Sequence, residues 1–449
     1  MNIIVIMIDS LRPDHLGCYG NDWIETPNID RLAEESVLFE NAYPEGLPTI
    51  PVRTALFTGQ HTLPHRPWQP LVDEDLTAAE ILLEHGYKSA LITDAYHLFK
   101  PGMNFHRGFH AFRWIRGQEA DAYESAPHGK DLNEFTKPAM KGSGAEKLLE
   151  QYLRNTSRRT REEDYFVAQV ALETIDWLER NYMHEKFFLW VDSFDPHEPW
   201  DPPPPYDAKY TDPDYKGPRL LHPKYGPVDW MSEQELEYVR GLYAGEVSFV
   251  DKWVGRLLEE IEKLGLWQKS LIILLADHGL PLGEHGTILK SDINLYNELL
   301  RIPLLIRHPQ GLHAGKRMDA LVQTHDILPT ILDIVGLPEE AIAMHGQSVW
   351  PVVEGRREKL RDYIVVGYHE SAHRCVRDRE WSYVHRPEGW QCELYNLVED
   401  PEEQRNLIDQ YPEKAEELAS QLPRSFHVGT PEIRSIQLRH EIAGSPIKF

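Results

Sequence analysis

Four short apolar runs share one property: each stops at residues able to hold a metal ion or a proton. IIVIMID ends at Asp9, SALITDAYH at Asp94 and His97, FFLWVDSFDPH at Asp192, Asp195 and His197, and LIILLADHG at Asp277 and His278. Runs that are apolar throughout, rather than alternating with polar residues, read as strands buried on both faces. Between them lie segments of helical periodicity such as TPNIDRLAEES, TAAEILLEHGY and YVRGLYAGEVSFVDKWVGRLLEEIEKLG. The pattern predicts an α/β fold, a large mainly parallel sheet sandwiched by helices. Ligands of such sheets bind beyond the carboxyl ends of the strands, so polar endings far apart in sequence can meet in one place.

At 449 residues the chain is long enough for a large core and an appendage. Residues 1–355 are expected to form the catalytic α/β domain. It carries an insertion at about 113–164, charged and punctuated by Gly and Pro, which reads as a surface-lying excursion suited to a lid. After GQSVWPVVEGRREK the texture changes to short β-like runs, DYIVVGYHE, HRCVRD and EWSYVH, followed by a helical PEKAEELASQL. Residues 356–449 are therefore expected to form a small antiparallel sheet plus helix. The proline-rich DPPPPYDAKYTDPDYKGPRLLHPKYGP after His197 suits the wall of a cleft.

A formal net charge of −25 repels nucleic acid and anionic membrane alike, so neither is an expected partner. An anionic small-molecule substrate would need a local cluster of positive charge. A homo-oligomer is compatible with the sequence, which sets no number of copies. The three cysteines, Cys18, Cys375 and Cys392, are scattered and lack metal-site spacing, as in a reducing compartment without a disulfide framework. MNIIVIMIDS is too short to span a bilayer and has neither the basic flank nor the cleavage site of a signal peptide, so a cytoplasmic location is expected.

LPTIPVRTALFTG reads as a short helix, with Thr49 or Ile50 as its cap, Pro51 in the first helical position and Gly59 after the last turn. Arg53 then lies at the positive end of the helix dipole. A cation there is unfavourable by a few tenths to about 1 kcal/mol unless an anion shares the site. In ADHGLPLGEHGTILK, Asp277 and His278 are adjacent after a buried strand; carboxylate plus imidazole is a ligand set for Zn, Mn or Fe rather than Ca. Asp9 is a further ligand candidate, although Asp-Ser is also ordinary turn chemistry. His197 is a proton donor if it faces the cleft, and Lys290, twelve residues beyond His278, an anion clamp.

Jointly these motifs resemble the sulfatase family of the alkaline phosphatase superfamily over most of the chain. IIVIMIDSLRPDHLGCYG resembles its opening metal-binding strand, and TIPVRTALFTG its C/S-x-P-x-R signature. FLWVDSFDPHEPW resembles the central histidine segment, ADHGLPLGEHGTILK with YNELLRIPLLI the second metal motif and anion-binding lysine, and ELYNLVEDPEEQRNL the entry to the C-terminal helix. The resemblance implies that Thr49 is the nucleophile and that Arg53 steadies it. It implies one divalent ion held by Asp9, Asp277, His278 and Thr49, with Ser10 where many members have a second acidic or amide ligand. His97 and His285 are implied as substrate contacts.

Three departures bear on the chemistry. Thr49 replaces the Cys or Ser that sulfatases convert to formylglycine, Ser10 thins the metal shell, and Ala95 falls where a sulfate-binding lysine is common. The adjacent Asp-His pair with its lysine is nearer to the phosphonate monoester hydrolase and phosphodiesterase branch. The expected reaction is in-line attack by Thr49 on a phosphorus ester, giving a phosphothreonine that water then cleaves. Arg53 and Lys290 would neutralise the equatorial oxygens and His197 would protonate the leaving oxygen. One metal (Mn, Zn or Fe over Ca) is favoured over two, although Asp192, Asp195 and His197 cluster in sequence. Sulfate ester hydrolysis and a catalytically inactive metal-binding member are the competing readings.

Overall fold

A computed structural model describes residues 1–422. Eight strands form the main sheet: β1 (Asn2–Ile8), β2 (Val37–Tyr43), β4 (Lys88–Thr93), β5 (Ala111–Trp114), β6 (Phe187–Ser193), β8 (Ser270–Ala276), β10 (Leu304–Arg307) and β11 (Arg317–Gln323). Their order is β11-β2-β10-β8-β1-β6-β4-β5, and every pairing is parallel except those of β10. The four apolar runs are thus β8, β1, β6 and β4, four neighbours pointing the same way. Their carboxyl ends lie side by side, as the sequence predicts. Each residue of β1, β6 and β8 is buried, which is why these runs carry no polar alternation.

Helices cover the sheet. The longest, Glu233–Lys263, starts at a capping box between Ser232 and Glu235. Its Asp251 accepts from the backbone N–H groups of Asn28 and Ile29, satisfying orphan donors at the start of the helix Pro27–Glu34. Its Tyr243 hydroxyl donates to the Ser10 carbonyl at 2.7 Å and accepts from the Arg12 N–H at 3.0 Å. That helix therefore fixes the backbone just past β1.

A second sheet runs β15 (Glu393–Asn396), β14 (Trp381–His385), β13 (Arg374–Arg377), β12 (Ile364–Tyr368), all antiparallel, and ends on β3 (Gly46–Leu47), which joins β12 in parallel. The helix Pro412–Ala419 closes a small separate core with Val376, Tyr383 and Leu394. The antiparallel sheet and helix expected after residue 355 are present as far as residue 422; the rest of 356–449 lies outside the described residues. The sheet also recruits Gly46–Leu47 from the early chain, so the region beyond 355 is stitched in two residues ahead of Thr49. A ribbon of β7 (Gly226–Pro227) and β9 (Thr287–Ile288) ties the proline-rich loop to the segment carrying Lys290.

The segment 113–164 corrects a purely surface-lying excursion. It begins inside edge strand β5, its helix Gly144–Asn155 buries Leu149, Tyr152 and Leu153, and Gln118, Glu119 and Asp121 are buried. Most of its charges stay at the surface, and the two interior ones are paired: Asp121 accepts two hydrogen bonds from Arg116 and Glu119 meets His97. Among the described residues no helix is long and apolar enough to cross a membrane.

Candidate active site

The arginine-bearing helix runs Thr49–Thr58 and ends at Gly59, whose φ of 67° is the left-handed conformation that glycine tolerates. It begins earlier than its Pro51 suggests. Thr49 is the first helical residue, not the cap, and Pro48 before it supplies no side-chain cap. The Thr49 hydroxyl is thereby released from capping, and its Oγ1 lies 3.4 Å from His278 Nε2.

Arg53, one turn on, is fully buried. Its Nε and Nη2 donate to both oxygens of Asp192 at 3.0 and 2.7 Å, and Nη1 donates to Asp277 Oδ2 at 2.7 Å and to the Thr49 carbonyl at 3.4 Å. Nη2 also stands 3.0 Å from Asp9 Oδ2. The anions that stabilise a cation at this helix start are thus the carboxylates at the ends of β1, β6 and β8. Burial disfavours the charged guanidinium, but Asp192, Asp277 and Asp9 more than restore it. The expectation that Arg53 neutralises substrate oxygens is not what the geometry shows: its donors point at the protein. It neutralises and aligns the carboxylates instead.

Asp9, Asp277 and His278 present ligand atoms within 4.8 Å of one another, all three buried. His278 Nδ1 donates to the Gly279 carbonyl at 2.8 Å, which leaves the Nε2 lone pair facing the cluster. Burial, against the pull of Asp277, pushes the imidazole pKa down to about 4, so the ring is a neutral ligand at pH 7. A side chain at Gly279 would meet the Glu298 carbonyl oxygen at 2.1 Å; only glycine lets this loop dock on the helix Asn297–Leu300. Ser10 has φ 58°, a conformation costing roughly 1–3 kcal/mol outside glycine. It is held there because its N–H donates to Asp277 Oδ1 at 3.0 Å and its Oγ to Asp9 Oδ1 at 2.8 Å. Ser10 thus bridges the two carboxylates.

Do these residues fit a cation? Three buried carboxylates face one guanidinium. Burial and then Asp277 hold Asp9 well above the usual carboxylate range, while His278 and Arg53 outweigh burial to keep Asp277 below it. Asp9 Oδ2 is buried without an aligned hydrogen bond. Excess negative charge, an orphaned acceptor and a mixed carboxylate–imidazole donor set all fit a divalent ion. Asp192, Asp195 and His197 do not form a second group. Asp192 belongs to Arg53, while Asp195 accepts from Gln118 Nε2 at 2.5 Å and the Val167 N–H at 3.1 Å.

At the other end of the cleft Lys290 Nζ lies 2.8 Å from His197 Nε2 and 3.2 and 3.3 Å from the two oxygens of Glu198. His197 Nδ1 donates to the Glu198 carbonyl at 2.7 Å, so Nε2 carries the lone pair and accepts from the ammonium. Burial pushes the His197 pKa down to about 3 despite Glu198. His197 therefore faces Lys290 with an acceptor rather than a proton, and the contact orients the Lys290 side chain. Glu198, buried beside them, also accepts from the Tyr225 hydroxyl of the proline-rich loop. Glu198 sits in the DPHEPW motif but has no spacing that marks it, and Tyr225 has no sequence signal at all.

The two expected substrate contacts are placed differently. His97 Nε2 is 3.2 Å from Glu119 Oε2 and its Nδ1 3.4 Å from Lys100 Nζ, in a ring cage of Trp68, Tyr96 and Phe194. It borders the site: Phe194 stacks on His197, the Arg53 charge acts on His97, and His197 acts on its partner Glu119. His285 stacks on Tyr296 at 3.7 Å with Nε2 3.7 Å from Glu298, and no hydrogen bond or ion pair among the described residues joins it to the cation cluster.

Compared with known proteins, residues 1–337 match the family model described as Sulfatase. The chain belongs to the sulfatase family. Residues 283–428 also match a model for the C-terminal part of N-sulphoglucosamine sulphohydrolase. An arylsulfatase of Clostridium perfringens is 28% identical over 466 residues, 93% of this chain and 92% of the relative. A multifunctional alkaline phosphatase superfamily protein of Trinickia caryophylli is 26% identical, covering 90% and 91%. Among solved structures, the phosphonate monoester hydrolase of Agrobacterium radiobacter has a TM-score of 0.74 at 22% identity over 95% of each chain, a likeness of fold. This sulfatase-family chain is a hydrolase by membership, and members of its superfamily use divalent metal.

Proposed function

We propose that this sulfatase-family hydrolase cleaves phosphoester bonds, phosphodiesters or phosphate and phosphonate monoesters, through Thr49. The observation that carries the reading is the Thr49 hydroxyl itself: a threonine alcohol, freed from capping, beside His278 Nε2. Asp9, Asp277 and His278 would hold a divalent cation, which would supply positive charge beside the ester and the Thr49 hydroxyl; Thr49 gives up its hydroxyl proton to solvent. Thr49 Oγ1 forms a bond to phosphorus as the bond to the leaving oxygen breaks. Lys290, oriented by His197 and Glu198, gives that oxygen its proton, and water then cleaves the Thr49 ester, releasing phosphate from a phosphate monoester, a phosphate monoester from a diester, or a phosphonate from its ester. Arg53 pairs with the carboxylates and holds them in place throughout. Mn, Zn or Fe suits this donor set better than Ca.

Sulfate ester hydrolysis is the second reading, favoured by the arylsulfatase relative. Formylglycine hydrate expels sulfate by elimination, whereas a sulfated threonine must wait for water to attack sulfur. The test is a panel of 4-nitrophenyl phosphate, a phosphodiester, a phosphonate monoester and 4-nitrophenyl sulfate, with Mn or Zn restored after chelation. A phosphorus ester should be turned over fastest, with kcat falling on the order of 1000-fold in Thr49→Ala, about 4 kcal/mol of barrier. Sulfate turnover as the largest rate, lost in Thr49→Ala, overturns the phosphoester reading. No turnover of any ester with metal bound identifies an inactive member.

A further inference from the structure

Arg12 is a buried cation that the reaction above leaves unused. It lies two residues past Ser10 and is 4% exposed. Its Nε and Nη2 donate to the two oxygens of Asp14 at 2.9 and 2.6 Å, within its own loop. Nη1 crosses to the neighbouring loop, where it donates to the Leu280 carbonyl at 3.0 Å and to Glu284 Oε1 at 2.8 Å. The other oxygen of Glu284 accepts from the Leu282 N–H, so this carboxylate closes its loop and presents it to Arg12. The stem of Arg12 is packed as closely as its head: a Cβ added at Gly279 would stand 3.2 Å from Arg12 Cγ. Gly279 is the residue whose carbonyl accepts from His278 Nδ1 and so orients that ring.

These contacts lie across one seam. β1 and β8 pair in parallel as far as Ile8 and Ala276, and the next residues, Asp9 on one strand and Asp277 and His278 on the other, are the candidate cation ligands. The β1–β8 ladder stops there. Past it, the Ser10 N–H to Asp277 is one tie between the two loops and Arg12 to Leu280 and Glu284 is a second. Arg53 bridges the carboxylates themselves; Arg12 holds the backbone behind them. A planar guanidinium with donors in fixed directions sets a spacing that one flexible contact does not. We propose that Arg12 is a positioning residue for the cation: by clamping Leu280 and Glu284 it fixes the Asp9 loop against the Asp277–His278 loop, and with it the affinity of the site for a divalent ion. This rests on the cation site of the reading above and not on which ester is cleaved.

The test is calorimetric titration of the chelator-treated full chain with Mn or Zn, without any ester and well below the unfolding temperature. Wild type should bind the ion, and His278→Ala should abolish that binding. Arg12→Met and Glu284→Ala should each weaken it by about 10- to 100-fold, the usual effect of removing a group that supports metal ligands. The double variant should bind no more weakly than Arg12→Met, because both changes remove one interaction. Asp14→Ala takes as many hydrogen bonds from Arg12 but none that reach the Leu280–Glu284 loop, so its affinity should stay near that of wild type. Unchanged affinity in Glu284→Ala, or an equal loss in Asp14→Ala, makes Arg12 a general prop of the fold and overturns the proposal while the cation site stands. No ion bound by wild type, or binding that survives His278→Ala, overturns the cation site and the proposal with it. Where circular dichroism shows Arg12→Met unfolded, Glu284→Ala against Asp14→Ala decides by the same comparison.

Discussion

At one end of the site Arg53 directs its donors to Asp192, Asp277 and the Thr49 carbonyl; at the other Lys290 meets His197, Glu198 and the Tyr225 ring, while Tyr368 and His222 keep polar atoms without a partner among the described residues. The first end is built on strand termini, the second on loops and a borrowed sheet edge. A cation fully enclosed by carboxylates is part of the folded scaffold. One that borders unpaired groups is available to a ligand. The same positive charge thus does structural work in one place and chemical work in the other.

The sharpest break of that comparison is stability. Arg53→Met leaves Asp9, Asp192 and Asp277 buried without their cation, and removing one partner of a buried ion pair typically costs about 3–5 kcal/mol. Lys290→Met strands a single carboxylate, Glu198, which keeps its Tyr225 hydrogen bond, and the neutral acceptor His197 Nε2. Urea denaturation of both variants should show the Arg53 midpoint falling much further; equal losses would erase the distinction between the two ends. Activity should divide the other way. Lys290→Met is expected to lower kcat by about 100- to 1000-fold, equivalent to roughly 3–4 kcal/mol, with little change in KM. A KM effect alone would make Lys290 a binding residue and move the proton donor elsewhere.

Both ends hold histidines that the fold keeps neutral, His278 with its pKa at about 4 and His197 at about 3, each by burial first. As pH falls through about 6.5 the unfolded chain takes up protons that the folded chain refuses. Stability from these groups is complete above that pH and is lost towards pH 4, by on the order of 1–3 kcal/mol for each imidazole. Denaturation midpoints measured from pH 7.5 to 4.5 should decline steadily. His278→Gln and His197→Gln should each flatten the decline, and a variant that leaves the slope unchanged removes that imidazole from the argument.

The difference between the two ends is also the difference between what the sequence reveals and what it hides. Asp9, Asp277 and His278 are legible because an all-apolar strand must terminate, and a polar residue at that point has one place to be. The parallel order of β8, β1, β6 and β4 then brings the endings together. Loops carry no such rule. His285, in a Gly-rich loop close in sequence to the metal motif, faces Glu298 and Tyr296 instead. Glu198, Tyr225 and His222 come from a motif interior and a proline-rich loop, and only tertiary contact shows that they meet. Arg53 was legible as an anomaly of helix electrostatics, yet its partners being protein carboxylates rather than substrate depends on side-chain reach, which spacing does not encode.

The smallest expected effect deletes one oxygen from each end. Tyr243→Phe removes a hydroxyl that serves two backbone groups, the Ser10 carbonyl and the Arg12 N–H, both enclosed by the sheet and its long helix. Among the described residues neither has another hydrogen-bond partner, and the left-handed Ser10 loses a restraint, so a stability cost of about 1–3 kcal/mol is expected. Tyr225→Phe removes a donor from Glu198, which Lys290 still contacts at 3.2 and 3.3 Å, so its cost should be nearer 1 kcal/mol. The effect on catalysis should reverse the order: with Glu198 less constrained, Lys290 is oriented less well, and kcat should fall several-fold in Tyr225→Phe. Should Tyr225→Phe prove the more destabilising of the two, the loop end would be as much a part of the folded scaffold as the strand end, and its unpaired groups would have to be read as strain rather than as a waiting surface.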